Sequence, residues 1–491
     1  AQSVSLIPEP VKLDMKSGAF RLDAEVEIVA GKTLQQQAAF LSQVIREEAN
    51  INLPVVKKGS KGKRHIRLEI VAGDAMPSES YTLRIMPQSV VIGATTAQGV
   101  FYGIQSLRQL LPDGQLSEIP CLEIEDYPRF AWRGLMLDVS RTFMSVNLVK
   151  RYIDLMSLYK LNTLHWHLTD DQGWRIEIKK HPKLTQVGSR FMPEANAMGG
   201  YYTQDEIRDV VRYAAERNIT IVPEIEMPGH SMAALVACPN LACVGTDKES
   251  FTIHLFGQGA NIHKEILCAG NEEVYSFMED VLTEVCRLFP SKYIHIGGDE
   301  APKHFWKTCP RCQKTIADHH LADENALQGY FVERILKILE KQDKTLVGWD
   351  EILMESKLPP QVVGMCWRSR EYVEKFAVGG HRVVATPTNP LYFDYDYNRN
   401  NSKNVYEYDP VVNISAEAGA NVLGMQANFW SHIDRSELRI DKQLFPRLLA
   451  LAGAAWTPPT QKEWTQFRIK LDNHKKRLEK MYVNYYKEEQ Q

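Results

Sequence analysis

The strongest constraint on the fold is a regular alternation that begins at Tyr127, in which apolar runs of strand length are separated by longer stretches with helical spacing. Eight such runs occur: Gly134–Val139, Thr163–Leu168, Thr220–Pro223, Tyr293–Ile296, Thr345–Gly348, Val362–Met365, Arg382–Ala385 and Asn421–Gln426. Helical spacing is clear in Leu148–Leu158, Asp205–Glu216 and Glu272–Leu288. Strand–helix alternation of this length predicts a parallel sheet. Eight runs predict an α/β fold, a (β/α)8 TIM barrel over residues 127–491 that ends in a helix.

The segment before the barrel has a different pattern. Residues 1–126 mix short strand-like runs with two amphipathic helical stretches. The whole chain, with 491 residues, is also too long for one ordinary domain. We therefore predict a small α+β domain without catalytic groups. Its predicted elements are the strands Val26–Val29, Arg67–Val71 and Tyr81–Ile85 and the helices Gln35–Glu48 and Gln98–Leu111.

Charge and hydropathy give no indication of two classes of partner, nucleic acid and the membrane interior. The net charge of −3 gives no reason to expect nucleic acid, and the apolar runs are too short for a membrane span. The chain begins Ala1-Gln2-Ser3, with neither a basic segment nor an apolar one after it. Such a start fits a cytosolic protein or one whose signal peptide has been removed, and we expect the second, a secreted or periplasmic protein.

The eight cysteines are too few for a disulfide scaffold in a chain of this length. Cys309-Pro-Arg-Cys312 raises the question of a metal or redox site, but no second ligand pair at matching spacing is visible. A local disulfide or two free thiols is the preferred interpretation. Cys238, Cys243 and Cys268 are interpreted as packing residues or disulfide partners.

Polar and aromatic residues gather where the predicted strands end. In a barrel of this kind the carboxyl ends of the strands carry the chemistry. These ends hold Asp138 and Arg141, His165 to Asp171, Glu224 to His230, Asp299 and Glu300, Trp349 to Glu351, Trp367 with Arg368, and Trp430. So many carboxylates, imidazoles and indoles at one rim predict an active site.

The same composition indicates a carbohydrate substrate. Sugar rings have apolar faces and hydroxyl edges, and indoles with carboxylates and an arginine suit both. A carboxylic acid in such a pocket can keep a raised pKa and protonate a leaving oxygen. Gly297-Gly298 lets the backbone leave strand geometry, so that Asp299 and Glu300 can both reach the barrel mouth.

These motifs, in this order, resemble the family-20 glycoside hydrolases, the β-N-acetylhexosaminidases. The resemblance covers essentially the whole chain, because that family also carries a small α+β domain before its barrel. It rests on Trp132-Arg133-Gly134, Leu137–Arg141, His165-Trp166-His167, Asp170–Arg175, Pro223–His230 and His295–Glu300.

The resemblance implies exo-acting, retaining hydrolysis in which the substrate assists. Glu300 would protonate the glycosidic oxygen and then activate water, while the carbonyl oxygen of the 2-acetamido group acts as nucleophile. Asp299 would orient that amide, and Tyr392 would bond its carbonyl oxygen. An oligosaccharide or glycoconjugate is the implied partner, and no cofactor or metal is expected.

The resemblance also assigns the remaining pocket residues. Trp349, Trp367 and Trp430 match the indoles that wall the pocket, Arg141 matches the ligand of the 3- and 4-hydroxyls, Asp394 matches the residue facing the 4- and 6-hydroxyls, and Asp170 with His230 match the pair that supports the general acid.

One position departs from the family pattern. Most members place a Glu two residues after the tryptophan that corresponds to Trp430, whereas this chain has His432. The change removes a negative charge and adds an N–H donor that can become cationic at mildly acidic pH. We hypothesise that the pocket accepts N-acetylglucosamine carrying a 6-sulfate, with Asp394 bonding the 4-hydroxyl and pointing away from the sulfate.

Other interpretations stand beside these. The barrel could be a glycan-binding module without catalysis, although both Asp299 and Glu300 are present. His165 and His167 have the spacing of metal ligands on one strand face, but a packed, hydrogen-bonded pair is preferred. Arg141 could merely pair with Asp138, the three tryptophans could belong to the barrel core, and His432 could face solvent.

Overall fold

The computed structural model, which describes residues 4–73, 77–112, 118–189, 199–254, 262–355, 357–432 and 436–488, begins with a mixed seven-stranded sheet. The strands are β1 (Lys12–Arg21), β2 (Glu27–Ala30), β3 (Val55–Val56), β4 (His65–Ile70), β5 (Tyr81–Met86), β6 (Ser89–Ala94) and β7 (Glu118–Asp126). They lie in the order β1-β7-β5-β6-β4-β2-β3. Two helices, α1 (Gln35–Ala49) and α2 (Ala97–Gln109), pack against this sheet through buried apolar residues.

Eight further strands form a closed barrel. They are β8 (Trp132–Asp138), β9 (Thr163–His167), β12 (Thr220–Met227), β13 (Tyr293–Gly297), β14 (Thr345–Trp349), β15 (Val363–Cys366), β16 (Arg382–Ala385) and β17 (Val422–Phe429). Two short antiparallel strands, β10 (Thr169–Asp170) and β11 (Gly173–Trp174), form a hairpin just after β9. Each barrel strand is parallel to its neighbours, and the barrel closes where β17 pairs with β8. The predicted (β/α)8 barrel preceded by an α+β domain is confirmed.

Helices surround the barrel and connect its strands. Those of eight residues or more are α3 (Val146–Leu158), α5 (Gln204–Ala215), α7 (Glu272–Leu288), α8 (Pro310–Asp318), α9 (Glu324–Glu340), α11 (Arg370–Val378), α15 (Glu437–Leu444), α16 (Arg447–Trp456) and α17 (Trp464–Lys480). The shorter ones are α4 (Lys183–Gln186), α6 (Met232–Ala237), α10 (Ile352–Glu355), α12 (Thr388–Leu391), α13 (Ser402–Glu407) and α14 (Ala416–Gly419). No helix among the described residues is long and apolar enough to cross a membrane.

Buried polar contacts fasten the sheet to the barrel. The ammonium of Lys160, at the end of α3, lies 3.1 Å from the carboxylate of Asp126, and both side chains are buried. The indole N–H of Trp456 donates to the same carboxylate at 2.8 Å. Arg133 on β8 lies 2.7 Å from Glu79, which precedes β5 in the amino-terminal domain. These contacts hold the small domain against the amino-terminal end of the barrel, away from the carboxyl ends of the strands.

Candidate active site

A cavity of about 250 Å³ lies at the carboxyl ends of the barrel strands. Its lining contains all eleven residues that the sequence assigned to the site. They are Arg141, Asp170, His230, Asp299, Glu300, Trp349, Trp367, Tyr392, Asp394, Trp430 and His432. Residues at the carboxyl ends of all eight barrel strands thus converge on one pocket, which is the arrangement expected of a barrel enzyme.

The turn after β13 brings two carboxylates into this cavity. Gly297 and Gly298 have φ of +71° and +96°, and Glu300 itself lies in the left-handed region at +44°. A β-carbon at Gly297 would overlap the carboxylate of Glu226, so glycine is required both for the conformation and for the space. The two glycines turn the chain so that Asp299 and Glu300 both line the pocket.

The two carboxylates differ in exposure. The side chain of Asp299 is 12% exposed, whereas that of Glu300 is 38% exposed. Burial, together with the negative charges of Glu224 and Glu300, raises the pKa of Asp299 to about 6. The Nε2 atom of His230 lies 3.6 Å from Asp299 and 3.4 Å from Glu300, so one imidazole serves both carboxylates.

Asp170 anchors this imidazole from behind. Its carboxylate lies 3.1 Å from Nδ1 of His230, 2.9 Å from the guanidinium of Arg141 and 2.7 Å from Nε2 of His167. Burial alone would raise the pKa of Asp170, but the charges of Arg141 and His230 outweigh burial and hold it well below its usual range. Asp170 therefore stays ionised and fixes the ring of His230. Arg141 lies closer to Asp170 than to Asp138, from which it is 3.4 Å away.

His165 and His167 share a second buried carboxylate, that of Glu224. His165 Nε2 lies 2.8 Å from Glu224 and its Nδ1 accepts from Gln426 at 3.0 Å, while His167 contacts Glu224 through Nδ1 and Asp170 through Nε2. Burial lowers the pKa of His165 to about 4. Burial also opposes charge on His167, but Glu224 and Asp170 outweigh it and raise that pKa to about 10. All four ring nitrogens are engaged in hydrogen bonds, which supports the packed pair over metal ligation.

Aromatic rings form the walls. Trp349 and Trp430 have ring centroids 5.8 Å apart, and the ring of Tyr392 lies 6.4 Å from that of Trp367, nearly parallel to it. Trp349 is 1% exposed and donates its indole N–H to Glu224 at 2.9 Å. It therefore belongs to the barrel core and to the pocket wall at once. A sugar ring could lie against these indole faces.

Arg141, Asp394 and His432 form a polar group at another side of the cavity. The guanidinium of Arg141 sits 4.9 Å above the ring of Trp430, and His432 Nε2 is 3.8 Å from the carboxylate of Asp394. Burial raises the pKa of Asp394 to about 7. Burial and the charge of Arg141 lower the pKa of His432, so the predicted change to a cation on mild acidification is disfavoured. His432 does not simply face solvent, since its side chain is 24% exposed.

Three residues of the site were not predicted. Tyr395 lines the cavity beside Tyr392. Glu226 is buried, and burial with the negative charge of Asp299 raises its pKa well above the ordinary value. Glu351 accepts a hydrogen bond from the indole of Trp367 at 3.0 Å, and burial raises its pKa to about 8. The sequence places Glu226 and Glu351 in motifs already noted, whereas Tyr395 lies just beyond Asp394 and outside them. Of the three, Tyr395 lines the cavity.

Outside the pocket, the structure brings together four cysteines whose proximity the sequence does not indicate. Cys309 and Cys312 are free thiols, not a local disulfide. Cys243 and Cys268, read as packing residues or disulfide partners, lie against them. The second pair was missed because its two members are far apart in sequence and no spacing rule connects them.

Comparison with known proteins shows which protein family shares this architecture. The family model "Glycosyl hydrolase family 20, catalytic domain" matches residues 130–459, and "Glycosyl hydrolase family 20, domain 2" matches residues 3–127. The chain belongs to glycosyl hydrolase family 20. The resemblance drawn from the motifs is thereby confirmed, and the family's domain 2 corresponds to the seven-stranded sheet.

Individual family-20 proteins agree with this assignment. A β-hexosaminidase of Porphyromonas gingivalis is 39% identical over 509 residues, which cover 99% of this chain and 64% of that protein. The chain thus spans slightly less than two thirds of the length of that relative. A solved exo-β-N-acetylglucosaminidase of Vibrio harveyi in complex with N-acetylglucosamine superposes with a TM-score of 0.88 at 31% identity, covering 99% of this chain and 79% of that one. A β-N-acetylhexosaminidase of Bacteroides fragilis gives 0.86 at 31% identity, covering 99% and 97%.

Proposed function

We propose that this protein is an exo-acting, retaining β-N-acetylhexosaminidase that removes terminal β-linked N-acetylglucosamine or N-acetylgalactosamine from oligosaccharides or glycoconjugates. One observation carries the proposal. A half-exposed carboxylate, Glu300, and a buried one, Asp299, share a single imidazole within a small cavity walled by indoles. A relative is a β-hexosaminidase, and a structural neighbour is an exo-β-N-acetylglucosaminidase in complex with N-acetylglucosamine, which supports the same substrate class here.

In the first step, Glu300 donates its proton to the glycosidic oxygen while the bond from that oxygen to C1 breaks. The carbonyl oxygen of the substrate's own acetamido group forms the new bond to C1, giving an oxazolinium ion and releasing the aglycone as an alcohol. Asp299 accepts a hydrogen bond from the amide N–H and offsets the positive charge that develops on nitrogen. Tyr392 donates to the amide carbonyl oxygen and holds it beneath C1.

In the second step, the Glu300 carboxylate takes a proton from water as the water oxygen bonds to C1 and the oxazolinium ring opens. Two inversions at C1 leave the product with retained β configuration. His230 lies between both carboxylates and is fixed by Asp170, so it positions the acid/base group without touching the reacting atoms. Arg141 and Asp394 bond the sugar hydroxyls.

The alternative is a glycan-binding barrel without catalysis. The Glu300→Gln substitution distinguishes this alternative from the proposed enzyme, because only an enzyme has turnover to lose. We expect Glu300→Gln to lower kcat on a natural oligosaccharide by about two to four orders of magnitude. An aryl glycoside with a good leaving group needs less protonation and should lose less in its first step. The matched control, Glu374→Gln, removes an exposed carboxylate on α11 and should leave turnover unchanged.

A panel of aryl β-glycosides completes this experiment. Substrate assistance requires the 2-acetamido group, so β-N-acetylglucosaminides should be cleaved and β-glucosides should not. Equal cleavage of both, or full activity of Glu300→Gln on an oligosaccharide, would contradict the proposed mechanism. Sugar binding by the wild type without any turnover would favour the binding module.

We further propose that the pocket accepts N-acetylglucosamine with a 6-sulfate. Two observations support the finer specificity: a neutral imidazole at position 432 provides an N–H donor without negative charge, and Asp394, whose pKa is about 7, is largely protonated in mildly acidic solution. Two unit charges about 4 Å apart interact by roughly 4 kcal/mol at an effective dielectric near 20, so the protonation of Asp394 decides whether a sulfate is tolerated. We also propose that the protein acts outside the cytoplasm, where its glycans lie, and cell fractionation would test this location.

A further inference from the structure

Four cysteine sulfurs meet at one point outside the sugar pocket. Cys243, Cys268, Cys309 and Cys312, here called the four-cysteine cluster, are all buried, and their Sγ atoms all lie within 4.8 Å of one another. The Sγ atom of Cys312 is 3.8 Å from that of Cys243 and 3.6 Å from that of Cys268, and the Sγ atoms of Cys268 and Cys309 are 3.7 Å apart.

Backbone hydrogen bonds build this cluster from two barrel loops. In the loop after β12, Ala242 and Leu267 form an antiparallel bridge, and the N–H of Cys268 donates to Leu241 at 2.9 Å. This bridge sets Cys243 beside Cys268. In the loop after β13, Cys309 caps the start of α8, and Cys312 lies almost one turn further along the same helix.

The two loops approach each other at Gly270. An added β-carbon there would overlap the backbone of Arg311 and Cys312, so only glycine allows this separation. The backbone N–H of Gly270 also donates to the sulfur of Cys268. An N–H aimed at a cysteine sulfur stabilises a thiolate, the form in which cysteine binds a metal.

We propose that the four-cysteine cluster binds one structural zinc ion as a closed tetrathiolate. Zinc binds cysteine sulfur at about 2.3 Å in tetrahedral geometry, and a tetrahedron of that size has sulfur–sulfur edges of about 3.8 Å. The three sulfur–sulfur separations given above match these edges. A disulfide would need sulfurs about 2.05 Å apart, so two sulfurs would have to leave the arrangement to form one.

The chemistry of the site favours zinc over iron, which accepts the same four sulfurs. The cluster is buried, and hydrolysis of a glycoside transfers no electron, so a redox-inert ion suits a purely structural site. The ion would clamp the loop that carries His230 to the loop that begins with Asp299 and Glu300. Zinc would therefore steady the pocket from outside without touching substrate.

The test is the metal content of the full chain, purified without chelator. Mass spectrometry of the elements should find about one zinc per chain, and X-ray absorption at the zinc edge should show four sulfurs at about 2.3 Å. Cys309→Ser should reduce the zinc content at least fivefold and lower the thermal unfolding midpoint. The matched control Cys286→Ser, which changes a half-buried cysteine of α7 outside the cluster, should retain both.

None of these measurements depends on glycosidase activity, so the zinc site and the proposed function fail independently. Alkylation of the denatured, unreduced protein in the presence of a chelator should label all eight cysteines. Labelling of only four would show two disulfides and overturn the proposal, as would iron in place of zinc or zinc bound through nitrogen and oxygen. If Cys309→Ser does not fold, the zinc content and absorption spectrum of the wild type decide alone.

Discussion

At the scale of single residues, the pair formed by Asp394 and His432 gives the pocket its own pH dependence. Burial pushes the pKa of Asp394 upward to about 7 and the pKa of His432 downward. Both shifts favour the neutral forms, because a buried site disfavours charge of either sign. Near neutral pH, therefore, this part of the cavity changes its charge chiefly through Asp394.

We predict that the preference for a 6-sulfated over an unsulfated aryl β-N-acetylglucosaminide falls as pH rises through about 7. Below that pH Asp394 is protonated and tolerates the sulfate, whereas above it the ionised carboxylate repels the sulfate. His432→Glu should shift preference toward the unsulfated substrate at every pH. The measurement is the ratio of kcat/KM for the two substrates across pH 5 to 9.

Two further variants make this prediction specific. Asp394→Asn should flatten the pH dependence of the ratio even where it lowers both rates. Asp396→Asn, which changes an exposed carboxylate two residues away, should leave the dependence intact. A wild type that cannot cleave the sulfated substrate at any pH ends the sulfate proposal but leaves the hexosaminidase proposal standing.

The individual site residues could be predicted because each lies in a motif at a strand end. The motifs cannot predict the protonation state of each carboxyl group, because that state depends on burial and on neighbouring charges. Asp299 and Glu300 are adjacent and chemically alike, yet burial sets them apart. Glu226 lies in the Glu224–His230 motif, but the motif gives no indication of its raised pKa, which arises from burial and from the negative charge of Asp299.

At the scale of elements, Gly297 and Gly298 at the end of β13 set the direction of the chain that carries Asp299 and Glu300. Gly298 has φ of +96°, and a β-carbon there would come within 2.5 Å of Cγ2 of Ile352. Any other residue would incur both backbone strain, about 1–2 kcal/mol, and a steric clash.

We predict that Gly298→Ala lowers kcat at least tenfold and lowers the thermal unfolding midpoint, because the clash displaces Asp299 and Glu300. Gly380 provides the matched control, since its φ of +86° carries a similar strain but no heavy atom lies within 4 Å of the added β-carbon. Gly380→Ala should therefore lose some stability and keep full turnover. Equal turnover in the two variants would show that the geometry of this turn does not control the site.

Secondary structure was predicted best where apolar periodicity is strong. The helix Glu272–Leu288 matches α7 at both ends. Strand β1 was missed because most of its residues are exposed and lack alternation, and β12 extends to Met227, well past its predicted end at Pro223. The extension contains two glutamates, Glu224 and Glu226. Charged residues at the end of an apolar run favour the prediction of a loop when the surrounding barrel is not known.

At the scale of the whole molecule, Lys160 forms a buried ion pair between the sheet and the barrel. Its ammonium is buried against Asp126, and burial lowers its pKa although Asp126 opposes that shift. Removing one member of a buried ion pair leaves the other charge without compensation.

We predict that Lys160→Met destabilises the protein by about 3–5 kcal/mol. The comparison is Lys150→Met, which breaks a partly exposed pair with Asp209 and should cost no more than about 1 kcal/mol. Thermal unfolding of both variants measures the difference. Similar midpoints for the two would show that the sheet and barrel do not depend on this pair.

The sequence was sufficient to predict a barrel with a small domain before it, because eight strand-length runs leave few alternatives. It could not predict how the two units join. Lys160 and Asp126 have no recognisable spacing, and a buried lysine looks like a surface lysine until its partner is found.

The closure of the barrel by β17 against β8 has a consequence for folding during translation. Arg141 follows β8 and His432 follows β17, and two hydrogen bonds between Thr142 and Ser431, at 3.0 Å and 2.8 Å, tie these strand ends together. During translation, the pocket residues that follow β8 are synthesised long before those that follow β17. A nascent chain that has emerged only as far as residue 421 already carries Asp299, Glu300 and Tyr392, yet it has an open sheet edge where β17 belongs. The growing chain must therefore keep an unpaired strand shielded through most of its own synthesis.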